Sequence, residues 1–161
     1  QVLMHDYSFE DGKLIIKEMA DLICLELLSQ NLIIGSITLH VGYSNILNEK
    51  PAHGTTALDM ETNSDLIIIP ALSGLYEKIV NSNLSIRRIN ITCNNVKPEE
   101  YLQYPFWVDI EKLEKNRQIQ KAILEIKNKY GKNAVLKGMN LQKNAMTIER
   151  NKQIGGHKSG E

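Results

Sequence analysis

Leu32-Ile33-Ile34-Gly35-Ser36-Ile37-Thr38-Leu39-His40-Val41-Gly42-Tyr43 is the stretch that decides the fold. Side chains alternate across a strand. Ile33, Ile37, Leu39 and Val41 therefore take one face, and Ser36, Thr38 and His40 take the other. One face is built for a core and the other for water or a ligand. Ser44 to His53 follows as a loop containing Pro51. Gly54-Thr55-Thr56-Ala57-Leu58-Asp59-Met60 then reads as a second strand, closing a hairpin with a long connection.

The flanking segments are helical. Asp11-Gly12 precedes a long helix whose apolar positions Ile16, Met19, Ile23 and Leu27 recur every three or four residues. Lys17 and Asp21 sit one turn apart, a weakly favourable pair, and the helix is predicted to end near Gln30-Asn31. Before it, an opening strand is expected around Gln1 to Leu3, cut short at its start. After the hairpin, Asn63-Ser64-Asp65 resembles a helix cap, and Ile68, Leu72, Leu75, Ile79 and Val80 carry the next helix. Pro70 removes a backbone bond and crowds the preceding turn. Either the helix bends there, or it begins near Pro70 with residues 67–69 extended.

Asn81-Ser82-Asn83 closes that helix, and Ser85-Ile86-Arg87-Arg88-Ile89-Asn90-Ile91-Thr92 follows as a strand of β-favouring residues. Strict alternation puts Arg87 with Ile89 and Ile91 at the outer end of the core side. Arg88 falls with Asn90 and Thr92 on the other side. The order β-α-β-β-α-β predicts an α+β two-layer sandwich: a four-stranded antiparallel-type sheet with two helices on one face. Thr38, His40, Thr55 and Arg88 are candidates for the open face. Thr56 shares parity with Leu58 and Met60, so only its backbone or a strand-end position could serve there.

A chain of 161 residues with 42% hydrophobic content forms one domain, or one domain with an appendage. Its apolar runs are too short or too broken by charge for a membrane span. Cys24 and Cys93 lie in apolar segments without metal-ligand spacing and read as reduced core residues of a cytoplasmic protein. Sequence alone leaves a disulfide between them open. No signal peptide is visible, and an opening Gln1 in place of Met points to a piece of something longer. The formal net charge of zero hides a split. Residues 1–107 carry 7 Lys/Arg against 13 Asp/Glu, a balance of −6, and residues 108–161 carry 12 against 6, a balance of +6. A folded body and a basic appendage with separate jobs are the expectation.

That divides the chain into a body at 1–97, a linker at 98–108 and a basic helical or irregular extension at 109–161. Within the linker, Gln103-Tyr104-Pro105-Phe106-Trp107 gathers aromatic residues that either anchor a partner or cover a hydrophobic edge of the body or tail helix. Asp109 to about Tyr130 is a charged helix with a narrow apolar face. Residues 131–161 are polar and basic and are expected to be irregular or partly mobile. Lys127, Lys129, Lys132, Lys137, Lys143, Arg150, Lys152 and Lys158 either attract DNA without specificity or are simply solvated.

Other chemistry is poorly represented. Asp59 and Glu61 form the best carboxylate pair, but no further ligands converge on them. His5, His40, His53 and His157 are dispersed, and none pairs with a cysteine at ligand spacing. Gly155-Gly156 is more simply a turn than a phosphate loop.

Several pieces together resemble a known family. Gln1-Val2-Leu3 leading to Asp6-Tyr7, Lys17-Glu18-Met19-Ala20, Val41-Gly42-Tyr43-Ser44, Thr62-Asn63 and Ile86-Arg87-Arg88-Ile89 are similar to the C-terminal "little finger" domain of Y-family translesion DNA polymerases, in the UmuC-like (ImpB/MucB/SamB) branch. Tyr130 to Leu136, Glu149-Arg150-Asn151 and Ile154 to Lys158 resemble the tail of that branch's Gram-positive members.

The resemblance implies a region that grips template–primer duplex, with Arg87, Arg88, Thr55 and Thr56 at the matching positions. It also implies that Gln103, Tyr104, Phe106 and Trp107 stand where family members carry a peptide for the sliding clamp. Catalytic carboxylates and their Mg²⁺ belong to a palm domain of the parent polymerase, since two-metal chemistry needs carboxylates clustered around ions about 3.5–4 Å apart. This fragment alone is therefore not expected to polymerise. The implied partners are DNA, the sliding clamp and the parent's catalytic domains. A protein-interaction module without DNA binding, and a small-molecule-binding domain or enzyme, are the rival expectations.

Overall fold

The computed structural model describes residues 1–44, 48–100, 105–154 and 157–158. Four strands, β1 (Val2–Tyr7), β2 (Leu32–Tyr43), β3 (Ala52–Thr62) and β4 (Ile86–Asn94), form an antiparallel sheet in the order β1-β4-β2-β3. A two-residue strand, β5 (Lys97–Pro98), pairs with the start of β2. Helices α1 (Phe9–Ser29) and α2 (Asp65–Ile79) lie together on one face of the sheet. Ile15, Ile16, Ala20 and Cys24 of α1 and Ile68, Leu72 and Tyr76 of α2 bury themselves there. They pack with Ile37, Leu39, Val41, Ile86 and Ile89 of the sheet. The α+β sandwich with one uncovered sheet face is the architecture read from the alternation of β2.

Element boundaries show how local chemistry acts. Helix α1 starts at Phe9, earlier than Asp11-Gly12 implied, because Ser8 caps it: its Oγ accepts from Asp11 N at 3.2 Å and donates to Asp11 Oδ2 at 2.7 Å. It ends as expected at Gln30, with Asn31 left-handed at φ 52°. Helix α2 runs through Pro70 from its start at Asp65. The carbonyl that loses its partner belongs to Leu66, which is exposed. Strand β1 extends to Tyr7, well past Leu3. Cys24 and Cys93 are both free, and among the described residues no helix is long and apolar enough to cross a membrane.

Gly12 sets the approach of α1 to α2 and β4. A Cβ added there would lie 2.5 Å from both Ile86 Cδ1 and the Tyr76 hydroxyl, and that hydroxyl donates to the Phe9 carbonyl at 2.8 Å. Alanine's helix preference is worth about 1 kcal/mol over glycine, but overpacking a filled site costs about 1–3 kcal/mol. Gly12→Ala is therefore expected to lower the urea midpoint rather than raise it.

Much of the described part of residues 131–161 is irregular, as expected, but it is pinned to the body. Helix α3 (Ile110–Tyr130) packs on α1. A 3-10 turn (Gly138–Leu141), helix α4 (Thr147–Asn151) and the short pair β6 (Gln153–Ile154) and β7 (His157–Lys158) follow. Body carboxylates hold it. Glu18, fully buried on α1, accepts from Asn140 Nδ2 at 2.9 Å, Met146 N at 2.6 Å and Thr147 N at 3.2 Å. Lys137 Nζ lies 2.5 Å from Asp21 Oδ1 and 2.6 Å from Asp65 Oδ2. Asp21 is thus engaged by the tail, where a pair with Lys17 was expected. Arg117 of α3 forks onto Glu99 at 2.5 and 2.7 Å.

Part of the −6/+6 split is therefore spent inside the molecule. Burial opposes the charge of Lys137, yet Asp21 and Asp65 raise its pKa above the ordinary 10.5. A raised cation contributes stability in full below its unfolded pKa and loses it as pH rises through the folded one. Tail docking is accordingly expected to hold through neutral pH and weaken above about pH 10.5. Tryptic cleavage within 131–151, followed against pH, would report it.

Candidate nucleic-acid interface

The uncovered face of the sheet is built in cross-strand rows. Thr55, Thr38 and Thr92 stand side by side, as do His53, His40 and Asn90, and Ala57, Ser36 and Asn94. Thr38 Oγ1 and Thr55 Oγ1 are 2.7 Å apart, and Asn94 Nδ2 donates to Thr38 Oγ1 at 2.9 Å. The His40 and His53 rings meet edge-on at 6.1 Å. These residues give a surface that is polar but largely uncharged. Asn94 and His53 were not singled out from sequence, although strand parity points to both.

The two arginines sit at one end of this surface, and their placement corrects the strict alternation. Gly42 pairs with Arg88 while Tyr43 pairs with Ile86, so two residues of β4 oppose one of β2. Such a bulge resets side-chain parity. Ile86 and Ile89 are both fully buried. Arg87 joins Arg88 on a cleft of about 380 Å³ that Val2, His40, Gly42 and Glu49 also line. It therefore does not share the core face with Ile89 and Ile91. A Cβ on Gly42 would come within 3.2 Å of Arg88 Cβ, so glycine makes room for the arginine stem.

Both guanidinium groups remain accessible. Arg87 Nη1 is 3.8 Å from Asp6 Oδ1, a loose pair between partly exposed side chains. Among the described residues Arg88 forms no ion pair. Thr56 is not brought to this surface. It pairs with Ile37 and lines a depression with Leu58, Leu66 and Pro70 on the helix side.

The aromatic linker is described only in part. Gln103 and Tyr104 lie outside the described residues. Phe106 is 96% exposed and Trp107 65%, their rings edge-on at 4.9 Å. Glu61 is engaged by Lys97 at 2.6 Å, and among the described residues no three His, Cys, Asp or Glu side chains gather as metal ligands.

Comparison with known proteins gives the class of this two-layer domain. The impB/mucB/samB family C-terminal domain matches residues 2–106, and the chain belongs to that family. It is 26% identical over 161 residues to UvrX of Bacillus subtilis (strain 168), a protein named for UV-damage repair, covering 99% of this chain and 38% of that one. It is 24% identical over 156 residues to DNA polymerase IV 2 of Halalkalibacterium halodurans, covering 96% of this chain and 37% of that one. The chain thus spans somewhat over a third of the length of these relatives. The C-terminal domain of the Y-family polymerases, named from the residues of the body, is the family found.

Proposed function

We propose that this region holds template–primer duplex for an error-prone DNA repair polymerase and recruits its sliding clamp, while the parent's catalytic domains supply the chemistry. The bulge at Arg87 is the observation that carries the proposal, because it turns two adjacent cations onto one accessible polar surface. A guanidinium on a backbone phosphate displaces condensed counterions and reads no base. Thr38, Thr55, Thr92 and Asn94 offer neutral hydrogen-bonding groups beside it. That combination suits a grip which must pass along any sequence, damaged template included. The names of the two relatives, one for UV-damage repair and one for a DNA polymerase, point the same way.

The balance of −6 over residues 1–107 limits how tightly an isolated domain holds a polyanion, so the grip is local and sensitive to salt. In this scheme residues 1–97 meet the duplex, residues 98–108 carry the clamp peptide, and residues 109–161 brace the helical layer. Fluorescence anisotropy with a labelled template–primer duplex in low salt tests it. Arg87→Ala combined with Arg88→Ala is expected to weaken binding about tenfold or more, since each lost charge-assisted contact is worth roughly 1 kcal/mol or more. Lys143→Ala, in the exposed part of the tail, should leave it unchanged. Equal affinity in wild type and double variant would count against the proposal.

The exposure of Phe106 and Trp107 favours a second reading, a protein-interaction module without DNA binding. That module would capture the clamp through the aromatic linker and show no salt-dependent affinity for duplex at all.

A further inference from the structure

Arg150 of α4 is the least satisfied side chain of the helical layer. Its Nε and Nη2 are sealed from solvent without a hydrogen-bond partner. Buried polar groups nearly always find partners, and an uncompensated buried charge is the costliest exception. Glu18 is the carboxylate whose field reaches it, but both Glu18 oxygens are committed to Asn140, Met146 and Thr147. Burial depresses the ionised forms of Arg150 and of Lys127 alike. A nearby anion would reverse that effect.

Arg150 borders a cleft of about 330 Å³ between α1, α3 and α4, with Leu22, Leu25 and Leu124 on its apolar wall and Lys127, Lys132 and Glu26 as its other charged groups. Three of these groups are cations and one is an anion. Glu26 already accepts from Gln30. Lys127 Nζ spends one hydrogen on the Lys132 carbonyl at 2.7 Å, which leaves two for a ligand.

We infer that this cleft is a binding site for a phosphate-class oxyanion, held by Arg150, Lys127 and Lys132, that fastens the tail onto α1. A guanidinium and two ammonium groups lining one cleft supply the positive charge such an ion needs. The phosphate could belong to a small molecule or to a nucleic-acid strand. This cleft and the one lined by Arg87 and Arg88 share no lining residue.

The 161-residue protein, with ¹⁵N-labelled arginine, is titrated with inorganic phosphate at constant ionic strength against a chloride control. The Arg150 Nε–H resonance is expected to shift saturably, and the thermal midpoint to rise with it. Lys132→Gln removes an exposed side chain and should weaken half-saturation roughly threefold. Arg150→Gln should abolish the thermal response. Equal responses to phosphate and chloride would overturn the inference, as would a full phosphate response in Arg150→Gln. Should that variant not fold, undiminished affinity in both Lys132→Gln and Lys127→Gln is equally fatal. A short single-stranded oligonucleotide that shifts the resonance at lower concentration than phosphate, in the Arg87→Ala, Arg88→Ala background as well, identifies a strand as the source. A response to phosphate alone identifies a free anion.

Discussion

Replacing Glu18 by alanine is expected to release the extension from the body, at a cost of about 3 kcal/mol or more. Three donors converge on this carboxylate: the Asn140 amide and the backbone N–H groups of Met146 and Thr147. Each buried donor left without an acceptor costs about 1–3 kcal/mol, and Met146, 4% exposed, is part of the core beneath them. The Met146 and Thr147 amides therefore report the change most directly. About 3 kcal/mol corresponds to roughly a hundredfold loss of hydrogen-exchange protection. Glu18→Gln keeps one acceptor oxygen and should show a smaller loss. Protection that survives in Glu18→Ala would mean that the extension is held chiefly elsewhere.

The other large effect lies in the linker. Phe106 stands almost wholly in solvent and Trp107 is about two-thirds exposed, where the clamp peptide is proposed. Anchors of this kind carry about 2 kcal/mol or more each when they fill a partner's pocket. Phe106→Ala combined with Trp107→Ala is thus expected to reduce affinity for the sliding clamp by about a hundredfold or more, with no change in the domain's thermal midpoint. Surface plasmon resonance against immobilised clamp would measure it. Retained affinity would remove the linker from the proposal while leaving the sheet surface untouched.

Much of this molecule was legible from local pattern. The alternation of β2 gave its span and the presence of one open face. The start of α2 after Asn63-Ser64, the helix end near Asn31 and the fourth strand were equally local. What escaped was nonlocal or sub-periodic. A bulge does not announce itself in a run of isoleucines and arginines, so the parity of Arg87 was misassigned by one residue. Glu18 and Asp21 look like solvated helix positions until residues more than a hundred places away approach them. Lys137 likewise reads as part of a solvated charge run, because its partners Asp21 and Asp65 lie on the body. The site candidates divide in the same way. Arg88 and Thr55 were placed correctly by strand parity, whereas Thr56 matched a family position without sharing the surface.

The salt dependence of duplex binding tests the sheet surface most directly. Each phosphate neutralised contributes about −0.9 to the slope of log K against log salt concentration. If Arg87 and Arg88 each meet a phosphate, removing both should flatten the slope by about 1.8. Parallel lines for the wild type and the Arg87→Ala, Arg88→Ala variant would place the duplex somewhere else on the molecule.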